Sequence, residues 1–152
     1  LVAALEKIVD PLLPAGDIAT ATYQDGTTKV LVHSDANELN LPMMVLVNGN
    51  TASAAELFTA SLKDFGKAEV IGEQTFGKGI MQNTFELPDG GAVTLTVATY
   101  QTTKGECYHG VGITPDVIME EDYEKVDFDH PNPEQDAQLK QAMELLQSKI
   151  NS

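Results

Sequence analysis

Met43-Met44-Val45-Leu46-Val47-Asn48-Gly49-Asn50-Thr51-Ala52-Ser53-Ala54-Ala55-Glu56, running on through Phe65-Gly66 to Ala68-Glu69-Val70-Ile71, is the stretch that decides the fold. Met43–Val47 is wholly apolar and is closed by Asn48-Gly49-Asn50, the pattern of a short buried strand. Small residues from Ser53 predict a helix to about Phe65, with Gly66 in the favoured position just past a helix end. Ala68–Ile71 reads as the next strand. Strand, helix and strand make a βαβ unit, whose crossover sets the two strands parallel. A helix of ~13 residues spans about 20 Å at 1.5 Å per residue. About six extended residues at ~3.3 Å each return that distance, and Lys67–Gly72 can supply them. The loop Glu73–Gly79 therefore emerges at the same sheet edge as Ser53, the edge where open α/β sheets place their ligands.

Outward from this unit the chain alternates strands and turns. Ile18–Tyr23 and Thr28–His33 flank Gln24-Asp25-Gly26-Thr27, a hairpin signal. Met81–Leu87 and Ala92–Thr102 flank Pro88-Asp89-Gly90-Gly91, a second one. Val93, Leu95 and Val97 alternate with Thr94, Thr96 and Ala98, which predicts one buried face. Leu1, Leu5, Ile8 and Val9 have helical spacing, and Pro11 and Pro14 end that helix. Ser34–Leu41 reads as polar loop and Glu120–Asp129 as a solvated acidic connector. Asn132-Pro133-Glu134-Gln135 has the form of a helix start with Asn as cap. Leu139, Ala142, Met143, Leu146 and Ile150 then form one apolar stripe expected to pack in the core.

The bulk properties narrow the function classes. At 152 residues, 42% hydrophobic and 21% charged, the chain has the composition of one globular domain. It carries 23 acids against 9 basic residues, a formal charge of −14. Such a surface argues against nucleic acid or anionic membrane, both of which need a positive face. Cys107 is the only cysteine, and nothing around it marks an activated thiolate. His33, His109 and His130 are scattered, without the spacing of a zinc site. No cofactor and no metal are expected. The chain opens at Leu1 without methionine and already inside an apolar pattern, so it reads as part of something longer.

Two residues of the βαβ unit invite chemistry. Ser53 begins the helix, where free N–H groups and the positive dipole end favour negative charge. An oxyanion formed on a group attached to Ser53 could accept a hydrogen bond from the Ala54 N–H. Ser53-Ala54-Ala55-Glu56 is equally a capping box, a purely local device. Lys78 ends Gly72-Glu73-Gln74-Thr75-Phe76-Gly77-Lys78, which matches a phosphate-loop pattern. Position 79 is glycine rather than a magnesium-binding hydroxyl, and a strand rather than a helix follows, so nucleotide binding is set aside. As a base, lysine with its ordinary pKa is neutral only about once in 2,500 at pH 7. Burial beside apolar groups such as Phe76 is expected to lower that pKa, and the flanking glycines allow a tight fold-in. A Ser–His–Asp triad is disfavoured because no histidine has a context that places it at the strand edge.

Val45-Leu46-Val47-Asn48, Thr51-Ala52-Ser53-Ala54-Ala55-Glu56, Thr75-Phe76-Gly77-Lys78-Gly79 with Gln82, and Gly112-Ile113-Thr114-Pro115-Asp116 together resemble the carboxyl-terminal processing proteases, also called tail-specific proteases. The resemblance covers nearly the whole chain. It implies an α/β fold, a ClpP/crotonase-like catalytic core with a mixed sheet, the βαβ unit and flanking helices. It makes Ser53 the nucleophile, Lys78 the general base and Gln82 the residue orienting the lysine amine. Asp64 matches an acidic position near the family's site and is expected to be structural. The implied activity is that of an exported bacterial serine endopeptidase, extracytoplasmic on the periplasmic or cell-envelope side, acting on proteins recognised by their C-terminal tails. Its substrate would lie extended against a strand. The implied organisation is a core of about 1–119, an acidic connector 120–131 and a C-terminal helix of about 133–150. A PDZ domain and a strand with a glycine-rich turn would lie upstream. A homo-oligomer or a regulatory protein is compatible with the same resemblance. Asn50 and Thr51 depart mildly from the small residues usual before the nucleophile. The competing reading is an inactive peptide-binding relative or an inactive fragment.

Overall fold

The computed structural model describes residues 2–35 and 37–151, so the expected helical position at Leu1 lies outside the described residues. Among the described residues three α-helices and seven strands follow one another. Helix α1 (Val2–Val9) runs into a single 3₁₀ turn, Asp10–Leu12, with Pro11 inside it. Strands β1 (Gly16–Tyr23) and β2 (Thr28–Ser34) form the first expected hairpin. Its turn closes with Tyr23 N–H donating to Thr27 O at 2.8 Å.

The βαβ unit forms as the pattern requires. Strand β3 (Met43–Val47), helix α2 (Ala54–Asp64) and strand β4 (Ala68–Gly72) follow in order. Met43 lies opposite Ala68 and Val47 opposite Gly72 in a parallel ladder without shifts. Helix α2 stops in a paired carbonyl cap, with Lys67 N–H on Leu62 O at 2.8 Å and Gly66 N–H on Lys63 O at 2.9 Å. At the end of β4 the backbones nearly touch. Gly72 has φ of +131°, and a Cβ there would lie 1.9 Å from Val47 O. Only glycine lets β4 turn out over the end of β3 at that point.

Strands β5 (Ile80–Glu86) and β6 (Ala92–Thr102) form the second hairpin, and β7 (Val117–Ile118) is a short parallel addition to β4. Antiparallel and parallel pairings segregate into two sheets, ordered β2-β1-β6-β5 and β3-β4-β7. The expected α/β architecture is thus present, with its mixture of strand directions divided between a hairpin sheet and a βαβ sheet. Leu5, Val9, Leu13, Ile18, Leu57, Leu62 and Tyr100 belong to one buried cluster joining α1, α2 and the antiparallel sheet. Each such apolar side chain, fully withdrawn from water, contributes roughly 1.5–3 kcal/mol.

Three sequence-based expectations are corrected. Strand β3 is only partly buried, with Leu46 40% exposed, because β3 is the edge strand of its sheet among the described residues. The last helix, α3, spans Ala137–Ile150 rather than starting near Pro133. Asp136 caps it, accepting from Leu139 N–H at 2.7 Å, whereas Asn132 closes a separate turn through Glu134 N–H at 3.0 Å. Of the expected stripe on α3, Ala142 is buried, but Met143 and Ile150 are 52% and 60% exposed. The helix covers the parallel sheet along a narrower line than its apolar pattern suggests.

Candidate active site

Ser53 stands at the head of α2, where the chain leaves β3 and turns into the helix. Its backbone has φ of 58° and ψ of −119°, and it is the sole non-glycine with positive φ among the described residues. An L-residue there costs of order 1–3 kcal/mol. A sharp, strained strand-to-helix turn is the device that lifts a nucleophile clear of its own backbone. The strain has a direct consequence. Ser53→Gly is expected to be more stable than Ser53→Ala by about 1 kcal/mol in thermal or urea unfolding. Equal stabilities would mean that the turn carries no strain.

Ala54 opens the first turn of α2, whose amides have no acceptor within the helix. The Ala55 N–H turns back to Ala52 O at 3.2 Å. The methyl side chains after Ser53 leave room for a backbone to approach, as the small residues in the sequence imply.

The Lys78 loop reaches this corner through a set of specific contacts. Phe76 N–H donates to Thr51 O at 3.0 Å, and Thr75 N–H to Ile113 O at 3.2 Å. Gly77 has φ of +90°, and a Cβ on it would lie 2.8 Å from Gly112 N, so the loop packs against the Gly112–Asp116 signature only as glycine. That signature is a clamp. Ile113 N–H donates to Thr75 Oγ1 at 2.7 Å, and Asp116 accepts from Val70 N–H at 2.9 Å and from Lys63 Nζ. Desolvation works to raise the Asp116 carboxyl, but its bonds with Lys63 and Val70 outweigh it and hold the group below its ordinary value.

Glu56 binds the two halves of the site together. Its side chain is fully buried, and both oxygens accept. Oε2 takes the N–H of Ser53 at 2.9 Å and the N–H of Lys78 at 2.7 Å. Oε1 takes Thr75 Oγ1 and the N–H of Gly77, each at 2.6 Å. Because one oxygen holds both amides, the backbones of residues 53 and 78 cannot be farther apart than those two bonds allow. Sequence reasoning saw Glu56 only as the far end of a capping box. The box is the legible half of its work, and the bonds across to residues 75–78 are the other.

Tyr100, on β6, was not anticipated. It is 5% exposed. Its hydroxyl donates to Lys78 O at 2.8 Å and lies 3.4 Å from Ser53 Oγ, and its N–H donates to Gly79 O at 3.0 Å. The Tyr108 ring meets it edge-on, with centroids 6.1 Å apart. Burial pushes both phenols above their ordinary value. The sequence pattern put the buried face of β6 on Val93, Leu95 and Val97, but Ala98, Tyr100 and Thr102 are the buried positions and Leu95 is 50% exposed, so no local signal marked Tyr100.

The remaining site candidates are placed as follows. Lys78 is half-buried, and its Nζ makes no hydrogen bond to Ser53 or Gln82 among the described residues. Phe76, expected to dry the amine, is 66% exposed and contributes no such shielding. Gln82 lies on β5 immediately after a register shift against β6 and is exposed. Bulges of this kind re-aim side chains beside active sites. Asp64 ends α2, roughly 16 Å from Ser53 at 1.5 Å per residue. It accepts from Thr102 Oγ1 at 2.5 Å beside Gly105, which braces the turn after β6. The expectation that no histidine reaches this edge is corrected: His109 Nδ1 lies 3.2 Å from Gly77 O, carried there by the fold-back of residues 108–112. Among the described residues, neither Ser53 nor a carboxylate is one of its hydrogen-bond partners. Strand β5 follows Gly79 directly, so the phosphate-loop pattern has no helix to serve it. Among the described residues no group of three or more metal-binding side chains occurs, and no helix is long and apolar enough to cross a membrane.

Residues 1–119 match the model of peptidase family S41. The chain is 36% identical over 134 residues to a carboxyl-terminal-processing protease of Synechocystis sp., covering 88% of this chain and 31% of that protein. It is 41% identical over 113 residues to the carboxy-terminal processing protease CtpA of Bacillus subtilis, covering 74% of this chain and 24% of that one. Among solved structures, the photosystem II D1 C-terminal processing protease superposes with a TM-score of 0.72 at 36% identity, over 79% of this chain and 31% of the other. The chain thus spans a third or less of the length of these relatives.

Proposed function

The chain belongs to peptidase family S41, and from that footing we propose that it is the catalytic core of a serine endopeptidase in which Ser53 attacks and Lys78 serves as general base. The observation that carries the reading is the shared Glu56 carboxylate, which ties the Ser53 and Lys78 amides to one oxygen across 25 positions of sequence. A neutral Lys78 amine takes the Ser53 proton as Oγ attacks the scissile carbonyl. The oxyanion is received by the Ala54 N–H at the positive end of α2. The protonated amine then returns the proton to the leaving amine, and water releases the acyl group by the reverse sequence. Gln82, on the strand that follows Lys78, hydrogen-bonds the amine when the side chains swing together. This swing is supported by the four-carbon stem of Lys78 and the absence of any competing partner for its Nζ among the described residues. Asp64 has a bracing role, in keeping with its bond to Thr102.

The full protein would act on polypeptides bound in extended form and recognised by their C-terminal tails through a PDZ domain of the same chain. An extracytoplasmic bacterial location fits the relatives named carboxyl-terminal processing proteases. Treating the full-length protein with a fluorophosphonate and mapping the adduct tests the proposal. A single adduct on Ser53, formed in step with loss of peptidase activity, is the expected result. An inactivated enzyme with unlabelled Ser53 would remove it as nucleophile.

A further inference from the structure

Tyr100 is the point where the antiparallel sheet touches both reactive elements, and nothing in the dyad chemistry above uses it. Its phenolic hydrogen is committed, since Lys78 O can only accept. In the contact with Ser53 the Tyr100 oxygen must therefore be the acceptor and Ser53 the donor. The Tyr100 N–H holds the next carbonyl, Gly79 O, at 3.0 Å. One residue thus grips the two consecutive carbonyls at Lys78 and Gly79 and takes the hydrogen of the Ser53 hydroxyl. Glu56 fastens the amides of residues 53 and 78 from α2, and Tyr100 fastens the carbonyls of residues 78 and 79 from β6.

We propose that Tyr100 is a positioning residue that sets the rotamer of the Ser53 hydroxyl relative to the peptide carrying Lys78. The proposal rests on the reading of Ser53 as nucleophile. With the hydroxyl hydrogen drawn toward Tyr100, the Oγ lone pairs are left directed away from the phenol. Proton transfer to Lys78 then requires the amine to swing toward Ser53 and the hydroxyl hydrogen to turn about the Cβ–Oγ bond, while the oxygen stays in place. Burial keeps the phenol protonated into alkaline solution, so the grip on Lys78 O persists across the working range. The Tyr108 ring, edge-on at 6.1 Å between centroids, supplies the wall that holds the Tyr100 ring.

In the full-length protein, Tyr100→Phe keeps the ring and its edge contact with Tyr108 but deletes the oxygen. Its kcat is expected to fall roughly tenfold to a hundredfold, the scale of a misplaced reacting group. KM should stay within about twofold, because no substrate contact is lost, and fluorophosphonate labelling of Ser53 should slow in parallel. Tyr23→Phe, at the end of β1 and outside these contacts, serves as control and should leave kcat unchanged. A direct reading that needs no Tyr100 variant is the 13Cζ resonance of Tyr100 in protein labelled with [ζ-13C]tyrosine, which should move when Ser53 becomes alanine. A Tyr100→Phe enzyme with wild-type kcat, or a resonance indifferent to Ser53→Ala, overturns the positioning role while leaving the nucleophile intact. Labelling that survives Ser53→Ala overturns the nucleophile reading, and this inference with it.

Discussion

Lys78→Ala in the full-length protein is expected to lower kcat by roughly 10³- to 10⁴-fold with KM little changed, and adding Ser53→Ala should cost almost nothing more. A general base alone is worth about 10²–10⁴, and residues that act as one unit are grossly non-additive. The two groups act as a unit here because neither does chemistry alone: the hydroxyl needs an acceptor for its proton, and the amine has no other substrate. Lys78→Arg should be as poor as alanine, since a guanidinium stays charged at any working pH and cannot accept a proton. Steady-state kinetics on a tailed, unstructured peptide would read this. If Lys78→Ala kept even a tenth of wild-type kcat, the base would have to be another group, and His109 beside Gly77 would be the first to examine.

Glu56→Gln should have the second largest effect, and should act on stability and turnover together. The carboxylate receives four donors, two at each oxygen. An amide of the same shape presents one oxygen and one NH2, so either orientation sets a donor against two donors in a fully buried place. Leaving such groups unpaired costs about 1–3 kcal/mol each, so a loss of about 2–4 kcal/mol is expected in urea unfolding. With the common anchor gone, the 73–79 loop drifts from the helix, and kcat should fall about a hundredfold. Glu56→Asp shortens the arm and should recover neither. Unchanged stability in Glu56→Gln would mean that the four bonds are replaced by water, and that the loop is held instead by Thr51, Tyr100 and Ile113.

Much of the architecture could be read from local pattern. Asp25-Gly26 and Asp89-Gly90-Gly91 announced both hairpins because turn chemistry acts within four residues. The βαβ unit followed from an apolar run, a small-residue helix and Gly66, each a short-range signal. The errors came where a neighbour distant in sequence decided the outcome. Leu46 is apolar yet exposed because its strand lies at a sheet edge. Helix α3 starts after Asp136 rather than at Asn132, with Glu121, well upstream in the chain, holding the Gln138 N–H. Phe76 was expected to shield Lys78, but alternates to the outer side of a loop pinned by Thr51 and Ile113. His109 reached the Lys78 loop through a fold-back that carries no periodic signature.

Pattern and spacing alone determined the parallel crossover and the edge at which residues 53 and 78 meet, because secondary-structure periods and chain length limit where a short loop can emerge. The family came from resemblance of the motifs around those residues to known proteases. Only the tertiary structure decided what holds that edge together. The strained backbone of Ser53, the burial of Glu56 and the approach of Tyr100 all arise from contacts between elements some 20 to 50 positions apart, where packing chooses among many partners that composition leaves equivalent.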